Sequence, residues 1–401
     1  MQTTNPESMG FSAQRLARIN TVMQGYLDRD QLAGMITLVA RRGQVVHLEK
    51  PGWMDREAGK PMEFDAIFRI YSMTKPIATA AVMMLYEECH FQLSDPISRF
   101  IPGFKGVKVY QPRGTADYDL VPPQREITIR DLLTHTSGLS YGVDPQSYVD
   151  DLYRKQLWGK VDENPKMSLA EAVELITKLP LAFHPGTAWR YSVAIDVLGF
   201  LVQVISGQPF ETFLKERIFD PLGLVDTGFF VPPDKYDRLA AVYGPVEGGG
   251  IKQIEDLAMI WPYPHKDPDW WASGGGGLVS TTADYFRFAQ MILNRGKLDG
   301  VSLLAPKTVD LMLMDHLPKG VQRLFEPFEG FGLGGSVLLD VPGSQTYGTA
   351  GSWGWGGAAN TWFLIDPKEE LLMILMLQYM PAWALPVDKD FKNMVYQALV
   401  D

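Results

Sequence analysis

Ser72 and Lys75 stand three residues apart in Arg69-Ile-Tyr-Ser-Met-Thr-Lys-Pro-Ile-Ala78, at the mouth of an apolar, helix-favouring run from Ile77 to Tyr86. On a helix, residues at i and i+3 share one face and lie close together. A serine hydroxyl becomes a nucleophile when a base takes its proton, and a lysine amine at this spacing can serve. A helix N-terminus adds free backbone N–H groups and a positive dipole end, both suited to an anionic intermediate. No other serine in the chain has a lysine three residues on. The competing reading is a surface Ser and Lys in the first turn of a core helix, because a four-residue pattern with two free positions recurs by chance.

Two further segments could join that pair. In Trp189-Arg-Tyr-Ser-Val-Ala-Ile-Asp196, Tyr191 sits where a loop meets an apolar helix, a position from which a phenol can point into a cleft. A free phenol has a pKa of about 10 and is a poor base at neutral pH. A neighbouring ammonium such as Lys75 is expected to favour the phenolate and lower that value. The plain alternative is a half-buried tyrosine bonded to backbone. In Gly351-Ser-Trp-Gly-Trp-Gly-Gly-Ala-Ala-Asn360, glycines open a strand and let its backbone approach another segment or a ligand closely. A backbone N–H there could pair with that of Ser72 as an oxyanion hole. A tight turn with tryptophans in the core is the alternative.

These residues need a frame, and 401 residues suffice for two domains or for one large domain with an insertion. With 46% apolar and 21% charged residues, core material is ample. A net charge of -10 argues against nucleic-acid and anionic-membrane surfaces. No apolar run approaches the roughly 20 residues of a membrane span. The opening Met1-Gln-Thr-Thr-Asn-Pro-Glu has no basic region followed by an apolar core, so no signal peptide is expected. The single cysteine, Cys89, excludes an internal disulfide and is expected to be buried and inert at a helix end. Together these point to a reducing, cytoplasmic compartment.

Along the chain, Ser12 can cap a helix carrying Leu16, Ile19, Met23 and Leu27. Met35 to Ala40 and Val45 to Leu48 flank Arg41-Arg-Gly43-Gln and read as a β-hairpin. A short strand, Ile67 to Tyr71, is expected to lead into Ser72. The Pro-rich stretch from Gln111 to Gln124 reads as irregular, whereas 169–179 and 193–205 are helical by periodicity. The long segment from Tyr243 to Gly277, with glycines at 274–277 and Trp261, Tyr263, Trp270 and Trp271, is a candidate pocket wall or a self-packed loop. Strands return at 334–340, 361–366 and 371–378, and 388–400 can close as a helix. The expected fold is therefore α+β: an antiparallel sheet flanked by helices, built from residues 1–85 and 266–401, with a mostly helical insertion over 86–265.

Tyr-Ser-Met-Thr-Lys (71–75), Leu-Leu-Thr-His-Thr-Ser-Gly-Leu (132–139), Tyr191-Ser192 and Trp355-Gly356-Gly357 occur in the order seen in the serine β-lactamase-like superfamily. The chain resembles that superfamily over nearly its whole length and looks most similar to the family VIII carboxylesterases. The resemblance implies Ser72 as the acylated nucleophile, Lys75 as its activator and Tyr191 as general base. It implies a second oxyanion N–H from Ala358 beside that of Ser72. It places Trp355, Gly356 and Gly357 where β-lactamases carry Lys-Thr-Gly, and Tyr141 where related esterases place a pocket tyrosine. The departures matter as much. Val193 stands where β-lactamases end Tyr-x-Asn in asparagine, and Trp355 replaces the lysine that pairs with a substrate carboxylate. An indole offers an apolar, stackable wall instead.

The expected activity is hydrolysis of short- to medium-chain carboxylic esters, with a small-molecule ester as partner and no cofactor. Transfer to another acceptor, amide hydrolysis, a β-lactamase and a non-catalytic scaffold are the alternatives. Three decoys are set aside. Gly138-Leu-Ser140-Tyr-Gly142 fits G-x-S-x-G, but Val-Asp-Pro145 follows where a helix should start. Gly330-Phe-Gly-Leu-Gly-Gly335 fits G-x-G-x-x-G, but a strand follows it. The six histidines show no ligand spacing, so no metal is expected and His135 is assigned a structural hydrogen bond.

Overall fold

Leu371–Leu377 (Leu-Leu-Met-Ile-Leu-Met-Leu) is buried at every position, which requires cover on both faces of its strand. Side chains alternate along a strand. Leu372, Ile374 and Met376 join one core, and Leu371, Met373, Leu375 and Leu377 join a second. The computed structural model describes all residues except 115–116, 165, 255–265, 267–270 and 324–325.

The strand just named is central in a seven-stranded antiparallel sheet. In chain order its members are β1 (Met35–Arg41), β2 (Gln44–Glu49), β3 (Glu329–Phe331), β4 (Ser336–Leu338), β5 (Trp353–Gly356), β6 (Trp362–Asp366) and β7 (Leu371–Leu377). Their order across the sheet is β3-β4-β5-β6-β7-β1-β2, so strands from both ends of the chain meet where β7 pairs with β1. In that ladder Leu38 lies opposite Ile374. The helices named below are α1 (Arg18–Asp28), α2 (Thr74–Glu87), α3 (Ala194–Ser206), α4 (Thr282–Leu293) and α5 (Val387–Tyr396). α1 and α5 cover one face through Ile19, Met23, Phe391 and Val395. α2 and α4 cover the other through Ile77, Ala81, Phe288 and Ile292, in a core that continues into α3. The helix α2 is apolar nearly all round, so both of its faces are buried.

Three local expectations need correction. The strand before Ser72 is only Phe68–Arg69, and it pairs with Val279–Ser280 rather than joining the large sheet. The Gln111 to Gln124 stretch is not wholly irregular: Val109–Arg113 and Asp117–Val121 form a hairpin apart from the large sheet, and Val109 also bridges Leu181. Pro112 is tolerated because that second pairing stops at Tyr110, leaving the outer edge at Pro112 without a ladder neighbour. Cys89 is exposed, not buried: α2 stops at Glu87 and Cys89 turns outward with φ 61°. No single helix among the described residues is long and apolar enough to cross a membrane.

Candidate active site

Ser72 sits in a single 3-10 turn, Tyr71–Met73, that runs directly into α2. Tyr71 adopts φ 42°, a left-handed conformation for a bulky residue, at a cost of about 1–3 kcal/mol. Surrounding bonds hold the turn in place. The Gln378 amide spans the Arg69 backbone, donating to its carbonyl at 3.0 Å and accepting from its N–H at 3.1 Å. The Ile70 N–H donates to the Leu278 carbonyl at 3.1 Å, and the Tyr285 hydroxyl of α4 donates to the Met73 carbonyl at 3.0 Å.

One helical turn later, the Lys75 Nζ lies 3.0 Å from Ser72 Oγ and donates to the Gly275 carbonyl at 2.5 Å. Lys75 is fully buried. Burial disfavours its ammonium and brings the pKa down to about 7, against an upward pull from Asp196. The amine also lies 4.5 Å from the centre of the Tyr191 ring and 5.3 Å from that of Tyr141.

Tyr191 precedes α3 and is hydrogen-bonded to Ser72. Trp355 Nε1 donates to its hydroxyl at 3.2 Å. Its ring is caged by His135 at 4.8 Å, Tyr141 at 5.2 Å, Trp355 at 5.6 Å and Trp189 at 6.2 Å between centroids. This enclosure pushes the phenol above its ordinary value, and the hydrogen bonds from Ser72 and Trp355 only partly offset it. The direction is opposite to the lowering expected from a neighbouring ammonium. At neutral pH the tyrosine is a protonated phenol and the lysine is the group close to losing its proton.

The Leu132–Leu139 motif braces this tyrosine. Thr128 and Asp131 form a capping box at the helix Ile129–Leu133, and Thr136 Oγ1 donates to Asp131 at 3.1 Å. The chain then turns so that the His135 carbonyl accepts from the Arg190 N–H at 2.9 Å, and His135 Nδ1 meets Ser192 Oγ at 3.2 Å. Burial, with Lys75 and Arg323 nearby, holds His135 neutral. Tyr141 is buried, stacks on Trp158 at 6.4 Å, and faces both Lys75 and Tyr191.

β5 brings Trp355 and Gly356 to the same cleft, and the chain beyond it passes over the Ser72 turn. A Cβ at Gly357 would stand 2.5 Å from the Ile70 carbonyl oxygen, so only glycine permits this approach. The Gly357 N–H is taken by the Thr361 carbonyl at 2.7 Å. Among the described residues the Ala358 N–H makes no hydrogen bond, and Ala358 packs in the cluster that holds Tyr71. On its other face Trp355 meets the Arg323 guanidinium at 5.2 Å, which forks onto Glu326 and Glu329.

Ser72, Lys75, Tyr191, Tyr141 and Trp355 therefore converge, and Gly356, Gly357 and Ala358 lie along one edge. Asp196, the Gly275 carbonyl and Arg323 also border the cleft and were not anticipated. For Asp196 the available signal was a lone carboxylate in an otherwise apolar helix. Ser140 is buried with its hydroxyl bonded to Asp150, and Gly330–Gly335 joins two strands. Of the loop aromatics, Trp261, Tyr263 and Trp270 lie outside the described residues, whereas Trp271 is buried edge-on to Trp158 at 6.3 Å.

Known proteins resemble this chain in sequence and in fold. An uncharacterised protein of Mycobacterium tuberculosis is 37% identical over 88% of each chain. The esterase EstB of Burkholderia gladioli is 31% identical over 93% of each. The structure of EstCE1, described as a hydrolase with promiscuous acyltransferase activity, superposes with a TM-score of 0.81 at 29% identity, covering 96% of this chain and 99% of that one. The family model described as Beta-lactamase matches residues 19–393, and the chain belongs to that family.

Proposed function

We propose that this protein is a serine carboxylesterase that hydrolyses short- to medium-chain carboxylic esters through an acyl-enzyme on Ser72. The observation that carries the reading is the buried Lys75 amine, 3.0 Å from Ser72 Oγ, with a pKa brought down to about 7. Such an amine is neutral often enough at physiological pH to take the serine proton. Ser72 Oγ attacks the ester carbonyl while its proton passes to Lys75. The oxyanion is held by the backbone N–H groups of Ser72 and Ala358. As the carbon–oxygen bond breaks, the Tyr191 hydroxyl or the new Lys75 ammonium protonates the leaving alcohol. Water then attacks the acyl-enzyme, giving a proton to the same pair, which passes it to Ser72 Oγ as the bond from Oγ to the acyl carbon breaks and the acid leaves.

The pocket chemistry supports an uncharged substrate. Trp355 presents an indole where a carboxylate-binding lysine would stand. The Arg323 guanidinium that meets its ring is already committed to two glutamates. Similarity to EstB and EstCE1 supports the ester class and membership among the family VIII esterases. Because EstCE1 is described as having promiscuous acyltransferase activity, transfer of the Ser72 acyl group to an added alcohol is a second reading. The lone cysteine, whose thiol is exposed, supports a cytoplasmic, reducing location. Ser72→Ala should abolish p-nitrophenyl ester turnover while the fold persists. Persistent turnover would refute the assignment.

A further inference from the structure

Asp196 is a carboxylate beside the cleft that this chemistry leaves unused. It opens α3 shortly after Tyr191 and is 1% exposed. Its Oδ1 accepts from Ser273 Oγ at 2.5 Å and from the Gly275 N–H at 3.2 Å. Its Oδ2 is buried with no hydrogen-bond partner among the described residues. The carbonyl of the same Gly275 accepts from Lys75 Nζ at 2.5 Å. One glycine is thus clamped by a carboxylate through its N–H and by the catalytic amine through its C=O. A Cβ at this position would stand 2.5 Å from Asp196 Oδ2 and 2.7 Å from the Tyr141 hydroxyl, so the peptide fills its slot.

Burial of an unpaired ammonium is costly, and an anion nearby relieves that cost. The groups facing Lys75 are Ser72 on its own turn, Tyr191 and Asp196 at the start of α3, Tyr141 and His135 from the 132–142 segment, and Arg323 beyond Trp355. His135 is neutral, Arg323 is cationic, and Tyr191 is protonated at neutral pH. Asp196 alone among them can supply negative charge, and its attraction to Lys75 is mutual.

We propose that Asp196 is a positioning residue for the ester hydrolysis put forward above: through Gly275 it fixes the Lys75 amine on Ser72, and through its charge it sets the pH at which that amine works. The inference rests on the Ser72–Lys75 reading. Without the carboxylate the ammonium loses its stabilising charge, so the lysine gives up its proton at lower pH.

The test is the pH profile of kcat/KM on p-nitrophenyl butyrate for the wild type, Asp196→Asn and Ser72→Ala. In Asp196→Asn the acid limb should move to lower pH by on the order of one unit. The plateau should fall roughly tenfold as the Gly275 clamp loosens, while Asp196→Glu keeps the wild-type limb. A reduced rate on an unmoved limb in Asp196→Asn would overturn the proposal, because a purely structural role lowers the rate without shifting the titration. Should Asp196→Asn fail to fold by circular dichroism, Ser273→Ala carries the test. Removing that donor weakens the anion and should shift the limb the same way by less, and an unmoved limb again overturns the proposal. An inactive Ser72→Ala with an unmoved limb defeats the Asp196 role alone. Turnover surviving in Ser72→Ala defeats the underlying reading and this one with it.

Discussion

Lys75 Nζ touches Ser72 Oγ at 3.0 Å and the Gly275 carbonyl at 2.5 Å, so one buried amine ties the nucleophile turn to the 273–277 glycine loop. The second bond fixes the direction of the amine and leaves its other N–H groups, or its lone pair when neutral, free to face the serine. The lysine is therefore a built part of the cleft and not a surface cation on a core helix.

Lys75→Met keeps the volume and removes the amine proposed as the base. It should lower kcat/KM on p-nitrophenyl esters by about 10²–10⁴-fold. The melting temperature should fall, because removing one partner leaves the buried Asp196 carboxylate without its compensating cation. Lys75→Arg should be as inactive, because a guanidinium is not deprotonated in proteins. Retained activity in either variant would remove Lys75 from the mechanism.

The pH dependence follows from the same amine. Below a pH of about 7 the ammonium has no lone pair for the Ser72 proton, so kcat/KM should fall as pH drops through that region. Above it the rate should level off, because burial holds Tyr191 protonated well past neutrality. A stopped-flow profile over the whole range checks both limbs. A rate that rises only with a phenol-like titration would instead make tyrosinate the base.

Tyr191→Phe and Trp355→Phe separate the phenol from its support. The first removes the proton relay and should cost about 10²–10⁴-fold in kcat. The second removes one hydrogen bond at 3.2 Å, worth about 1 kcal/mol, and should cost roughly fivefold. Equal losses would mean that Trp355 does more than orient the hydroxyl.

What was legible in the sequence was local or ordered. Ser72 and Lys75 share one turn, and Tyr191 and Trp355 follow in a fixed order that marks the superfamily. The apolar runs of β1, which ends at the Arg41-Arg-Gly43-Gln turn, and of β7 show strands without further help. Long-range pairings were not legible. Asp196 meets Gly275 and Lys75 only after α3 packs beside α2, and in the sequence it is simply an acid in the first turn of a helix. The 109–121 hairpin was hidden by Pro112, which sits where the strand's outer edge has no ladder neighbour. The phenol's pKa was misjudged because charge was counted without the aromatic cage that desolvates it.

Gly357→Ala tests the oxyanion edge. The added methyl meets the Ile70 carbonyl oxygen at 2.5 Å and must push the segment carrying Ala358 away from Ser72. Activity should fall by about 10²-fold, the loss expected for a displaced oxyanion donor. Stability should fall by about 1–3 kcal/mol, measured by urea unfolding. Full activity in the folded variant would take Ala358 out of the oxyanion hole.

The central claim is an acyl group on Ser72, and intact mass followed by peptide mapping tests it most directly. After brief exposure to a p-nitrophenyl ester, the acyl mass should appear on the peptide containing Ser72 and decay as turnover completes. An adduct on the peptide carrying Ser140, or turnover with no adduct on Ser72 under any quench, would contradict the account.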